Sequence, residues 1–150
     1  MTAFVTGGTG FLLAVLWFDL MFDVQVLRHR DPVLPEPVLS SIASYYRRVT
    51  TAARPMNRLI AAVMVGTIAA IVVQIAKGDD PRWAGWASLA LAVLAIGIAA
   101  VHTVPSAVRL GARADDARAQ SRLARAICRD HLVAIAAIVS LLIVQLAFAG

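Results

Sequence analysis

The chain has little charge and almost no cysteine. Charged residues make up 15% of its 150 positions, against 60% hydrophobic residues and a mean hydropathy of +0.77. A soluble domain carries more charge than this, and the length suits one compact bundle and no second domain. The single cysteine, Cys128, excludes an intramolecular disulfide and carries no information about redox compartment. Beside Arg129 it could be a reactive thiol, but a small packing residue is the expected role. No Lys or Arg precedes the first apolar run and no small-residue cleavage site follows it, so that run is not expected to be a signal peptide. A His-Glu-x-x-His motif is also missing, so no local signature singles out a metal.

What the chain has is apolar length. Covering the hydrocarbon core takes about 20 apolar residues as a helix. Four segments qualify, at about 4–27, 59–76, 83–104 and 131–148. The expected fold is therefore all-α, a single four-span membrane bundle over residues 1–150. The net charge of +5 could point to nucleic acid, but the arginines sit between the spans, where anionic lipid headgroups are the expected partner. Six arginines lie between the first and second spans: Arg28, Arg30, Arg47, Arg48, Arg54 and Arg58. Six more lie between the third and fourth: Arg109, Arg113, Arg118, Arg122, Arg125 and Arg129. The middle connection has only Lys77 and Arg82, offset by Asp79 and Asp80. The bias predicts a multi-pass protein with basic loops in the cytoplasm and both termini outside.

Both basic loops carry helical periodicity. After the turn signals Asp31-Pro32 and Pro35-Glu36-Pro37, an apolar stripe of Val38, Ile42, Tyr45, Tyr46 and Val49 predicts an amphipathic juxtamembrane helix along the membrane surface, with Arg47 and Arg48 off the stripe. Arg118, Arg122, Arg125 and Arg129 share one face of an extension of the fourth helix, with Leu123, Ala124, Ile127 and His131 opposite. The two hairpins are weakly alike, since Arg58 to Gln74 and Arg129 to Gln145 have the same spacing, which would make any repeat parallel. Gly85, Ser88, Ala92, Ala95 and Ala99 form a small-residue seam whose next member is His102, and Ala62, Gly66 and Ala69 are its expected counterpart.

The glycines of Val5-Thr6-Gly7-Gly8-Thr9-Gly10 look like a dinucleotide-binding turn. Only four residues precede that motif, Leu13 stands where its third glycine belongs, and a span follows, so a nicotinamide cofactor is excluded.

Asp19 and Asp23 are the residues above background. Four apart, they share a helix face near the end of the first span, where carboxylates need partners. His102 closes the third span and His131 opens the fourth at the same level. In one reading Arg58, Arg129 or the histidines neutralise the carboxylates and the network fixes helix register. In the other, Asp19, Asp23, His102 and His131 form a site for a metal ion, a proton or a polar substrate group, with a divalent transition metal as the cofactor the four would suit as ligands.

The layout of four short spans, with Tyr45-Tyr46-Arg47-Arg48, Arg54-Pro55-Met56-Asn57-Arg58 and Arg129-Asp130-His131, resembles the small four-span bacterial membrane proteins of the anthrone-oxygenase-like type. That resemblance implies a protein of the bacterial inner membrane with a membrane-embedded pocket acting on a lipophilic molecule. Three functions stay open: a metal-binding or substrate-binding protein of oxidoreductase type, an oligomeric transport or channel subunit, and a non-catalytic accessory subunit of a larger membrane complex.

Overall fold

Hydrocarbon offers no partner to a peptide group, so each apolar run must satisfy its own amides as a helix. The computed structural model describes residues 1–52, 54–78 and 81–148. Asp79 and Asp80, expected to offset the charge of the middle connection, lie outside the described residues, as does the side chain of Arg54. Helix α1 (Thr2–Asp23) ends in a 3₁₀ turn at Val24–Arg28. Helix α2 (Glu36–Arg47) runs into a π-helical turn at Arg48–Ala52, ahead of α3 (Arg54–Lys77). Helix α4 (Arg82–Ile98) passes through a second π-helical turn, Ala99–Thr103, into α5 (Val104–Ala112). Helix α6 (Ala117–Phe148) completes the described chain. Four stretches are long and apolar enough to cross a membrane: Thr2–Arg28, Pro55–Lys77, Arg82–Ala112 and Ala117–Phe148. The all-α, four-span architecture is therefore as the sequence predicts.

The spans form a ring. Helix α1 packs on α3 and α6, and α4 packs on the same two helices. Ala95 lies in a buried layer with Leu12, Ala134, Ala137 and Ile138, and a second layer joins Val5, Ala70, Ile71, Ala92 and Leu141. The predicted seam on α4 is present, with Ser88, Ala92 and Ala95 buried and Gly85 closed by Ile75. Its expected counterpart is not. Ala62, Gly66 and Ala69 are exposed, because the inward face of α3 is Thr67, Ala70, Ile71 and Gln74. The two glutamines matched by spacing meet in the bundle. Nε2 of Gln74 donates to Oε1 of Gln145 at 3.2 Å, and Nε2 of Gln145 donates to Oγ of Ser88 at 2.9 Å.

Each π-helical turn stands just before a proline, Pro55 or Pro105. A proline ring lacks the amide hydrogen and collides with the carbonyl four residues back, and an extra residue in the turn relieves the collision but leaves a carbonyl without its backbone donor. Asn57 shows the repair, since its Nδ2 donates to the Thr50 carbonyl at 3.1 Å. The inserted residue also rotates everything after it by about 100°. Along an unbroken helix the α4 seam would turn His102 inward. Instead Thr103 is buried, and the His102 side chain is 51% exposed.

Helix α2 is amphipathic as expected, but protein covers its apolar face. Leu39, Ile42, Ala43 and Tyr46 are buried with Ala107, Leu110, Ala124, Ile127 and Cys128, which belong to α5 and α6. The expectation that this stripe lies on the membrane surface is corrected for a simple reason. Residues 105–112, beyond the span expected at 83–104, continue as α5 (Val104–Ala112) and supply the apolar partner. Gly111 allows the approach: a Cβ there would stand 2.8 Å from the Arg47 backbone nitrogen. Backbone cannot move aside cheaply, so Gly111→Ala should cost about 1–3 kcal/mol. Gly66→Ala, which meets nothing within 4 Å, should leave thermal unfolding in detergent unchanged or slightly raised. Equal melting temperatures for the two variants would contradict the α2–α5 contact.

Candidate functional site

Helix α1 carries Asp19 and Asp23 to the end of the bundle that bears the arginines. Asp23 is fully buried. A carboxylate there is costly unless donors surround it. Helix α2 brings them. Tyr45 and Tyr46 are adjacent, so they project about 100° apart and reach different carboxylates. The Tyr46 hydroxyl donates to Oδ1 of Asp23 at 2.7 Å, and the Tyr45 hydroxyl to Oδ1 of Asp19 at 2.6 Å. Phe22 stacks on Tyr45 with ring centroids 4.0 Å apart, which fixes that ring beside its carboxylate. Burial first, and then the neighbouring carboxylates, push both phenols above the ordinary tyrosine value, so both stay protonated and keep donating.

Helix α6 supplies the third side. Nδ1–H of His131 donates to Oδ2 of Asp23 at 2.6 Å, and Nε2 lies 3.8 Å from Oδ2 of Asp19. The imidazole therefore stands between the two carboxylates, and the set ties α1, α2 and α6 together. Of the partners weighed for the carboxylates, His131 is present. Arg58 is exposed, and Arg129, 74% exposed, lies 4.0 Å from Asp130 instead.

His102 is elsewhere. Its Nδ1 bonds Oδ2 of Asp130, which also accepts from the Thr103 hydroxyl at 3.2 Å. Asp130 and His131 are neighbours on α6 and so face different sides, one toward the turn between α4 and α5, the other toward α1 and α2. Three of the four residues expected to converge do so, and the π-helical turn separates the fourth. Among the described residues, no three His, Cys, Asp or Glu side chains are grouped so that they could hold a metal ion. Sequence reasoning missed Asp130, Tyr45 and Tyr46 as partners. Asp130 was legible as a carboxylate next to the fourth span. The tyrosines were legible only as members of an apolar stripe.

This closed set of donors and acceptors belongs to a small polytopic membrane protein whose residues 1–149 match a family model described as "ER membrane protein SH3", the SHR3 chaperone family. The chain belongs to that family. No curated protein and no solved structure matches it. Membership overturns two expectations. The resemblance to bacterial anthrone-oxygenase-like proteins gives way to the SHR3 family, because four spans and basic loops are a layout that unrelated membrane proteins share. The placement in a bacterial inner membrane gives way to a family of the ER membrane. Arginine bias records which loops were retained on one side, not which membrane holds them.

For this SHR3-family chain the two tyrosines should differ in weight. Tyr46→Phe strips a donor from a fully buried carboxylate and should cost about 1–3 kcal/mol. Tyr45→Phe acts on the partly exposed Asp19 and should cost less. Thermal unfolding in mild detergent measures both, and a larger loss from Tyr45→Phe would reverse the assignment.

Proposed function

We propose that this chain is a non-catalytic chaperone or accessory subunit for larger membrane proteins of the ER. One observation carries the reading: the carboxylates and the imidazole that looked like a reactive pocket are bonded to one another and to α2. A group engaged in this way holds helices in register. The family model, named for a chaperone, supports the same reading over the length 1–149. The metal-dependent or oxidoreductase alternative draws less support, since His102 stands apart from Asp19, Asp23 and His131. The transport alternative finds its bundle interior filled by Leu12, Ala95, Ile138 and Leu141.

A chaperone shows itself in the fate of other proteins. In cells lacking this chain, a subset of multi-span proteins in ER membranes should shift from defined complexes to aggregates on native gels, with their synthesis rates unchanged. Re-expression of the chain should restore the complexes. The same distribution with and without the chain would overturn the proposal.

A further inference from the structure

The stripe Arg118, Arg122, Arg125 and Arg129 is sorted by what each residue touches. Arg125 spends its guanidinium on backbone: NH1 donates to the Pro32 carbonyl at 3.2 Å, and NH2 to the carbonyls of His29 at 3.2 Å and Asp31 at 2.5 Å. The Leu34 amide donates to Oγ of Ser121 at 2.9 Å. Together these bonds staple the connection between α1 and α2 onto α6, and they hold the exposed Arg30 between two residues whose carbonyls bond Arg125. Gathering like charges costs free energy. The acidic residues nearby offset it only in part: Asp115 takes the Arg109 fork through two bonds of 2.7 Å, Glu36 takes Arg113, Asp116 accepts from the Ala119 amide at 2.7 Å, and Asp31, next to Arg30, makes no ion pair within 4.0 Å among the described residues. Those bonds to Arg109 hold the Asp115 carboxyl below its ordinary value, and Asp115 also feels the field of Arg122. Among the described residues, Arg30, Arg118 and Arg122 form no ion pair within 4.0 Å.

Height above the membrane decides what kind of anion could meet them. Helix α6 has 32 residues, of which the apolar part begins at Leu132. At 1.5 Å per residue, Arg129 lies about 4.5 Å beyond Leu132, Arg122 about 15 Å and Arg118 about 21 Å. The headgroup layer extends only about 5–8 Å beyond the hydrocarbon. Arg129 is thus at the level of lipid phosphates, whereas Arg118 and Arg122 stand past them, and the stapled loop holds Arg30 near the level of Arg125. We propose that Arg30, Arg118 and Arg122 form a docking surface for an acidic extramembrane segment of a client membrane protein. The assignment rests on the chaperone reading and adds to it the chemistry of the partner.

The test uses the full chain in nanodiscs of zwitterionic phospholipid, with a glutamate-rich peptide as probe and its glutamine counterpart as control, read by fluorescence anisotropy. The parent should bind the glutamate peptide and not the glutamine peptide, more weakly as salt rises. Arg118→Glu/Arg122→Glu should weaken binding by at least about tenfold, while Arg47→Glu/Arg48→Glu, on the exposed face of α2, should change it by less than about twofold. An unchanged melting temperature for each variant shows that the fold is intact. No binding by the parent, or equal affinity in the Arg118→Glu/Arg122→Glu variant, would overturn the docking surface. So would a variant that keeps the peptide but loses vesicles containing anionic phospholipid, since lipid would then be the occupant. Normal client complexes in cells carrying Arg118→Glu/Arg122→Glu would remove the docking surface and leave the chaperone reading standing.

Discussion

Asp23 is a carboxylate with no exposure to solvent, and the rest of the arrangement follows from what it requires. It takes one bond from Tyr46 on α2 and one from His131 on α6. A buried anion with one donor removed is destabilising by more than the donor's net worth, because the charge stays behind. The position of α2 against the bundle is thus fixed by a polar contact, while the apolar contacts around Ile42, Leu110 and Ile127 supply the bulk of the burial. Hydrophobic packing alone would tolerate a helix sliding by a turn. A carboxylate that must meet one hydroxyl and one imidazole does not.

The parts legible in the sequence were those set by composition and period. Four apolar runs gave four spans, and the spacing of Ser88, Ala92 and Ala95 gave the buried side of α4. What was not legible depended on phase and on tertiary partners. Counting along an unbroken helix turns His102 inward, and the π-helical turn ahead of Pro105 changes the count. Tyr45 and Tyr46 were read by their apolar rings, since nothing local reveals a hydroxyl's distant acceptor. The face of α2 was assigned to lipid because α5, nine residues between two turns, was too short for its period to stand out. Gly66 and Ala69 were placed in a seam by spacing that fits either side of α3.

The two prolines illustrate how a local rule can have a distant effect. Each forces a π-helical turn, and in the third span that turn divides a seam of small residues from a segment that belongs to the basic end. Before the turn the helix presents Ala92 and Ala95 to the bundle. Within it Thr103 is buried, and after it the buried residues are Ser106, Ala107, Leu110 and Gly111. One continuous helix therefore serves two cores with different phases.

The bond between Gln74 and Gln145 has a consequence of a different kind. The two residues are of the same type, and each stands the same distance along the chain from an arginine, Arg58 or Arg129. Contacts between equivalent positions belong ordinarily to two-fold dimers, where a side chain must be complementary to its own copy. A carboxylate facing its copy would repel it, and so would a guanidinium. A primary amide donates and accepts at once, so it can pair with another of its kind without added charge. In this chain, two glutamines on different helices, α3 and α6, use that self-complementarity within a single polypeptide.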